Sequence, residues 1–297
     1  MSIMKQSARS AVLASILAVV AASGIAWAIS QGSVSVFGIP VFAGVVALAF
    51  VIQWVAFVPA YILQTERFFD ITGSITYVLV AGTAVALTGR LDARSLLLLS
   101  LVTIWAIRLG SFLFQRILRA GKDARFDDLK PSITRFLMTW TIQGLWVTFT
   151  LAAALATMTS AVQVTLDAFA WVGLAIWLVG FAIEALADIQ KSRFRKNPAN
   201  KGRFIQNGLW AWSRHPNYFG EITLWFGIAV IALPVLRGWQ WLSLISPLFV
   251  TLLITRISGI PLLEKRSDEK WAGQDDYELY KSRTSVLIPW PPKRTSS

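Results

Sequence analysis

The sequence contains no cysteine and only one histidine, His215, among its 297 residues. Without cysteine the chain can form neither disulfides nor thiolate metal sites, and it has no thiol nucleophile. A single histidine leaves no zinc ligand set, so no metal is expected. The sequence also lacks the G-x-S-x-G pattern of a serine-hydrolase elbow. These absences exclude thiol chemistry, zinc chemistry and a serine hydrolase with this elbow.

Charged residues are scarce as well. They make up 15% of the chain, against 55% hydrophobic residues, whereas soluble domains contain about 25% charged residues. Several charge-poor windows are long enough to cross a hydrocarbon core of about 30 Å. The pattern predicts an all-α polytopic membrane bundle of seven to eight transmembrane helices. The predicted spans are 11–29, 41–63, 71–89, 95–115, 134–158, 168–188, 219–236 and 239–263. A cleaved signal peptide is the alternative for the first span.

The basic residues are distributed unevenly between the loops. With both termini in the cytosol, the inside segments hold 23 of the 28 Lys and Arg residues, as the positive-inside rule requires. The net charge of +12 then reflects loops that face anionic lipid. The bilayer is therefore the expected partner, and nucleic-acid binding is not expected. The absence of an internal repeat argues against a transporter built from two related halves.

Four ionisable residues at the inner end of the sixth span share one helix face. Glu184, Asp188, Lys191 and Arg195 follow one another at spacings of four, three and four residues. One interpretation is a local charge ladder in which the basic residues pair with the carboxylates. The other is a ligand site, in which the carboxylates accept ribose or amide hydrogens and the basic groups bind phosphates.

The next candidates lie around the single histidine. Asn217 and Glu221 are four residues apart on the first turns of the seventh span, where the helix dipole favours a carboxylate. Capping is therefore an alternative role for Glu221. Arg203 and Arg214 add to a guanidinium-rich rim suited to phosphate, and a solvated basic loop is the alternative. His215 is positioned either to donate to a phosphate or to cap the helix.

Several polar groups are predicted to lie within the membrane. Arg108 falls inside the fourth span, and such an arginine is a functional candidate unless it reaches the inner surface by snorkelling. Asp70 begins the third span, with Tyr77 just inside it. Gln53 and Gln143 are interpreted as interhelical hydrogen-bonding residues.

Three blocks of the C-terminal half resemble the steroid 5-alpha-reductase family, specifically a bacterial branch of membrane proteins within it. They are GLWAWSRHPNYFGE at 208–221, PLLEKR at 261–266 and YKSRTSVLIP at 280–289. The resemblance covers about residues 180–290. It implies a bacterial inner-membrane oxidoreductase with its site facing the cytoplasm. In such an enzyme NADPH reduces a carbon–carbon double bond conjugated to a carbonyl in an apolar, enone-like lipid.

The resemblance also implies roles for individual residues. It assigns substrate-side spans to 1–165 and cofactor binding to 166–297 of a single membrane-embedded domain. It places cofactor contacts at Asp188, Arg195, Arg203, Asn217 and Glu221. Together with the candidates Arg108, Glu184, Arg214 and His215, these residues form the expected cofactor-binding set. Glu184 stands where the steroid enzymes have an asparagine.

The sequence departs from the steroid enzymes where their substrate carbonyl is held by an adjacent Gln-Glu pair. Here Gln53 is followed by Trp54. The expected proton donors are therefore Tyr77, Asp70 and Tyr218, since a donor near the carbonyl would stabilise the enolate formed by hydride addition.

Two other classes of function remain open at this point. Isoprenylcysteine carboxyl methyltransferases share an Arg-His-Pro-x-Tyr-x-Gly block, so a methyltransferase that uses S-adenosylmethionine is the principal alternative. A non-catalytic lipid-binding or transport protein would also explain polar residues at membrane depth. It gives no reason for the clustered pairs Asn217/Glu221 and Glu184/Asp188.

Overall fold

The computed structural model describes residues 7–89 and 91–292, and these form an almost entirely helical structure. The exception is a short antiparallel pair, β1 (Ser35–Val36) and β2 (Ile39–Pro40). The all-α prediction is confirmed. The helices are α1 (Ala8–Ser30), α2 (Val41–Ile62), α3 (Phe69–Thr88), α4 (Ala93–Ala120), α5 (Ile133–Thr159), α6 (Ala168–Lys196), α7 (Pro216–Ala232), α8 (Ile245–Leu252), α9 (Ile260–Trp271) and α10 (Asp275–Arg283).

Within the described residues, seven helical segments are long and apolar enough to cross a membrane. They are the helices α1 to α6 and the helical segment Gly238–Trp271. The helix α7 is apolar but has only 17 residues, fewer than the roughly 20 that a full crossing needs. The prediction of a multi-pass membrane protein with seven to eight spans is confirmed. The cytosolic placement of both termini stays a prediction.

The last predicted span is not one continuous α-helix. It consists of a 3₁₀ segment at Gly238–Leu244 followed by α8, one π-helical turn at Leu253–Ile257, and α9. The sixth predicted span, in contrast, continues beyond residue 188 as a helix to Lys196. Hydropathy detects where apolar residues stop, whereas backbone hydrogen bonding continues into the charged residues that follow.

The chain folds into two compact units. Unit 1 comprises the residues up to Ala170 together with Ile231–Ser246, and unit 2 comprises Trp171–Val230 and the residues from Pro247 onward. The expectation of a single membrane-embedded domain, with functional halves meeting at residue 165, stays a prediction.

The helix α5 is the most buried helix of unit 1, with an uninterrupted buried run from Val147 to Thr159. A basic residue is also buried in this unit. The guanidinium of Arg94 pairs with Asp167 at 2.8 Å and donates to the carbonyl oxygens of Val164 at 3.1 Å and Thr165 at 2.7 Å. Because Arg94 is 1% exposed, these partners compensate for the loss of its hydration.

In unit 2, α6 and α7 pack backbone against backbone. A Cβ atom built on Gly180 would lie 2.5 Å from the amide nitrogen of Leu224, and one on Gly220 would lie 2.5 Å from that of Glu184. Real Cβ atoms do not approach this closely, so glycine is required at this crossing. Small residues that allow such close approach are typical of helix contacts in membranes.

Candidate functional site

Unit 2 contains a cavity of about 340 Å³ whose lining is strongly basic and aromatic. Its walls come from the end of α6, the connection to α7, the helix α9 and the helix α10. The charged lining residues are Lys191, Arg195, Arg203, Arg214, Arg266, Lys270 and the acidic Glu264. The aromatic lining residues are Phe194, Phe204, Trp210, Trp271, Tyr277 and Tyr280, in addition to His215.

The end of α6 brings basic residues to this cavity because the helix continues beyond its apolar part. Lys191 and Arg195 lie one turn apart in that extension. The helix then ends before Asn197, whose side chain accepts a hydrogen bond from the Ala199 amide at 3.0 Å, and Pro198 follows. The residue before a proline resists the helical conformation, so the sequence predicts a helix break at Asn197-Pro198. The structure confirms this break, and the chain turns back to contribute Arg203.

One wall is built on Trp210. Its indole nitrogen donates to the Ala187 carbonyl oxygen at 3.1 Å, which holds the ring against α6. The ammonium of Lys191 lies 4.1 Å from the centre of the Trp210 ring, within the range of a cation–π contact. This wall therefore combines a flat aromatic surface with positive charge.

A second wall is a cluster of four aromatic rings. The ring centre of Phe204 lies 5.8 Å from that of Trp271 and 5.3 Å from those of Tyr277 and Tyr280. The Tyr280 hydroxyl donates to the Trp210 carbonyl oxygen at 2.7 Å, which ties the two walls together. Burial raises the pKa of both tyrosines above its usual value, so both hydroxyls stay protonated at neutral pH.

The acidic lining residue Glu264 joins two neighbours in sequence. His215 Nε2 lies 2.7 Å from Glu264 Oε1, and Arg214 forms an ion pair with Glu264 Oε2 at 3.1 Å. Burial lowers the pKa of His215, and the neighbouring carboxylate opposes this shift in part. The imidazole is therefore mostly neutral near pH 7. Its Nδ1 is buried and has no hydrogen-bond partner among the described residues.

The cavity brings together four of the predicted cofactor-binding residues: Arg195, Arg203, Arg214 and His215. Tyr218, a predicted proton donor, stacks on His215 with ring centres 5.8 Å apart. The predicted set did not include Glu264, Arg266, Lys270 or the aromatic lining. A signal for some of them was present, because Arg266 and Lys270 are four residues apart in the charged segment that follows Pro261.

The predicted acidic residues lie elsewhere in unit 2. Glu184 and Asp188 are buried on α6 and do not line the cavity. The Asn217 amide donates to Asp188 at 3.3 Å, close to the glycine crossing of the two helices. Glu221 follows Gly220 on α7. The structure thus separates the expected site into a basic cavity and a polar contact between α6 and α7.

The three remaining predicted residues belong to unit 1. Asp70 forms an ion pair with Arg116 at 3.4 Å. The buried ring of Tyr77 meets Trp105 edge-on, with ring centres 5.0 Å apart, and Arg108 is half-buried on α4.

The two intramembrane glutamines of unit 1 join helices, as predicted. Gln53 donates to Thr76 Oγ1 at 2.8 Å, and Gln143 donates to the Phe69 carbonyl oxygen at 3.1 Å. The interpretation of Gln53 and Gln143 as interhelical hydrogen-bonding residues is confirmed.

Comparison with known families gives the class to which this fold and cavity belong. Residues 56–284 match the family described as "Protein of unknown function (DUF1295)". Because this match includes most of the chain and every residue that lines the cavity, the protein belongs to that family.

Curated relatives add more specific similarities. The chain is 29% identical over 160 residues to the 3-oxo-5-alpha-steroid 4-dehydrogenase 1 of Rattus norvegicus, covering 49% of this chain and 56% of the relative. It is 29% identical over 119 residues to the Mus musculus protein of the same name, covering 40% and 41%. It is also 42% identical over 53 residues to the "Probable O-methyltransferase ustE" of Ustilaginoidea virens, covering 18% of each chain. The resemblance to the steroid 5-alpha-reductase family is confirmed.

Each of these similarities covers only part of this chain and part of the relative. The chain spans about half of the steroid dehydrogenases and less than a fifth of the methyltransferase. No solved structure matches the chain.

Proposed function

We propose that this protein is a membrane reductase that uses NADPH to reduce the carbon–carbon double bond of an apolar, enone-like lipid. The observation that carries the proposal is the cavity of unit 2. Its described lining residues include six basic residues, six aromatic residues and one carboxylate. The similarity to steroid dehydrogenases supports the same reaction class.

The charge of the cavity favours a ligand with several phosphate groups. The guanidinium groups of Arg195, Arg203 and Arg266 can each bind phosphate oxygens through two parallel hydrogen bonds. Glu264 is neutralised by Arg214, so it does not repel an anion strongly. NADPH offers a diphosphate and a 2′-phosphate to such a set.

The aromatic walls favour a nucleotide rather than an inorganic anion. The rings of Trp210 and Phe204 are flat apolar surfaces on which a purine can stack. The volume of about 340 Å³ lies near the lower end of the range for ligand pockets. We therefore assign this cavity to the phosphorylated adenosine half of the cofactor.

Bound NADPH would supply the hydride, and the residues of the chain would hold the cofactor and provide a proton. Arg195 and Arg203 would hold its phosphates. The Nε2 of the neutral His215 donates to Glu264, so its buried Nδ1 would accept a hydrogen bond from a ribose hydroxyl. Tyr218, Tyr77 and Asp70 are the proposed sources of the proton for the enolate. Glu184, Asp188, Asn217, Glu221 and Arg108 complete the proposed cofactor-binding set.

We also propose that the protein lies in a bacterial inner membrane with the basic cavity on the cytoplasmic side. The excess of Lys and Arg in the segments that build the cavity supports this orientation. NADPH would then enter from the cytosol, and the apolar substrate would enter from the bilayer.

The binding of three ligands to the purified protein in detergent tests the proposal. NADPH should raise the thermal unfolding temperature and bind more tightly than NADH by a factor of about 10 or more, because the 2′-phosphate adds charge-assisted hydrogen bonds. S-adenosylmethionine should have no effect. Equal affinities for NADPH and NADH would contradict the assignment of the basic residues.

The methyltransferase remains the second candidate because of the 42% identity over 53 residues to a probable O-methyltransferase. S-adenosylmethionine carries a sulfonium cation and no phosphate, so six basic residues are a poor electrostatic match for it. Binding of S-adenosylmethionine without binding of NADPH would select this alternative. Binding of neither ligand at saturating concentration would exclude both enzymes.

A further inference from the structure

Residues 285–290, which we call the strap, follow α10 and run against the segment that precedes α7, with bends at residues 286–288. Ser285 pairs with Ser213 in a parallel β-bridge. The amide of Trp290 donates to the Trp212 carbonyl oxygen at 3.0 Å. The strap is therefore hydrogen-bonded to the chain immediately before α7.

Alternate residues of the strap expose large apolar side chains. Val286 is 42% exposed, Ile288 is 61% exposed and Trp290 is 69% exposed. The neighbouring Trp212 is 49% exposed. We call these four residues the apolar patch. Leu287, between them, points inward and is half-buried.

Two hydrogen bonds fix the position of the segment before α7 along the axis of α6. We call this position its level on α6. The amide of Leu209 donates to the side chain of Gln190 at 3.0 Å, and the indole of Trp210 donates to the Ala187 carbonyl oxygen at 3.1 Å. The segment 209–214, to which the strap is bonded, is therefore attached to α6 at residues 187–190.

That level is where the surface of α6 changes from apolar to charged. Up to this level, the helix exposes Leu186 and Ile189, which are suited to contact with lipid tails. Just after it, the exposed residues are Arg193 and Arg195, which are suited to headgroups and water. The apolar patch is thus attached at the boundary between hydrocarbon and headgroups.

We propose that the apolar patch inserts into the bilayer interface and anchors the strap to lipid. Tryptophans are enriched at this depth, because the indole ring is apolar and its N–H finds polar partners. The strap also accepts hydrogen bonds from the Ser213–Arg214 segment of the cavity wall. The proposal does not depend on which ligand the cavity holds.

The natural absence of cysteine allows a direct test with the full chain in lipid nanodiscs. An environment-sensitive fluorophore is attached to the single cysteine of Ile288→Cys, and in a matched control to that of Gln274→Cys. Gln274 is exposed in the turn between α9 and α10. Quenching by lipids spin-labelled at a shallow acyl position is compared with quenching by aqueous iodide.

The proposal predicts that the spin-labelled lipids quench the probe at 288 several times more strongly than the probe at 274, and that iodide shows the opposite order. Quenching at 288 by iodide alone would overturn the proposal. Protection of 288 from both quenchers would also overturn it, because a protein surface, such as a second copy of this chain, would then cover the patch. A melting curve of each labelled variant verifies that the fold is intact.

Discussion

His215 and Glu264, which are 49 residues apart in the sequence, share a hydrogen bond of 2.7 Å in the cavity wall. The same carboxylate pairs with Arg214. Glu264 therefore fixes the orientation of two cavity-lining side chains at once, and it connects α9 to the segment before α7.

Replacement of this carboxylate should weaken the wall. We expect Glu264→Gln to lower the free energy of unfolding by about 1–3 kcal/mol, because Arg214 loses its charged partner while remaining largely buried. The control is Glu269→Gln, on the same helix, whose exposed carboxylate pairs with Lys265 at 3.6 Å and should change stability by less than about 0.5 kcal/mol. Denaturant or thermal unfolding in detergent measures both. Equal losses for the two variants would contradict this role of Glu264.

The phosphate-binding role of the end of α6 can be tested with two neighbouring arginines. Arg195 lines the cavity, whereas Arg193, two residues earlier, is exposed and does not line it. We expect Arg195→Gln to weaken NADPH binding by about 10- to 100-fold, since a charge-assisted hydrogen bond contributes about 1.5–3 kcal/mol. Arg193→Gln should leave the dissociation constant unchanged. Titration calorimetry gives both constants, and a similar loss in the two variants would indicate only a general effect of net charge.

The glycine crossing makes a prediction about packing. Gly220→Ala should destabilise unit 2 by about 1–3 kcal/mol or more, because the new methyl group would meet the backbone of α6, which has no free space. Gly82→Ala in α3 is the matched control, since a Cβ there meets nothing within 4 Å and alanine is the better helix former. The control should be neutral or slightly stabilising. Equal melting temperatures for Gly220→Ala and wild type would show that the helices can separate at low cost.

Arg94 should be among the most sensitive positions of unit 1. Arg94→Ala leaves the carbonyl oxygens of Val164, Thr165 and Ile231 without their donor, and each hydrogen bond lost from a charged group costs about 1.5–3 kcal/mol. Asp167 is one-third exposed, so water replaces part of what its carboxylate loses. Arg119→Ala, in the last turn of α4, removes an exposed arginine bonded to Gln115 and should cost less than about 0.5 kcal/mol. The yield of folded protein and its unfolding midpoint distinguish the two.

The single histidine gives a defined pH dependence. Because burial lowers the pKa of His215 in the folded state, the unfolded chain binds more protons below the usual histidine pKa of about 6.5. The contribution of His215 to stability should therefore be fully present above that value and decrease as the pH falls below it. His215→Gln should make the melting temperature less dependent on pH below about 6.5. An unchanged slope in the variant would show that the carboxylates control it.

The positions of the membrane helices could be predicted from the sequence because hydropathy and charge depend only on nearby residues. The basic extension of α6 and its break at Asn197-Pro198 were predictable for the same reason. The spacing of Glu184 and Arg195 was less informative. It places both residues on one helix face but says little about where each lies along the axis. Eleven residues correspond to about 16 Å of helix, so Glu184 reaches the glycine crossing while Arg195 reaches the cavity.

The partners of His215 could not be predicted, since Glu264 and the aromatic wall come from a helix pair far along the chain. Nothing local to residues 213–221 indicates which of the later carboxylates reaches the imidazole. Only the fold of residues 258–292 determines it.

The backbone contact between α6 and α7 has a consequence for motion within unit 2. At Gly180, Gly220 and Gly227 the main chains touch without intervening side chains, so neither helix can slide past the other without a steric collision. In any rearrangement that accompanies ligand entry, the two helices must therefore move together as one rigid body. A ligand-dependent change in the cavity would then come from movement of the segments 197–215 and 258–280, which line the cavity, relative to this helix pair.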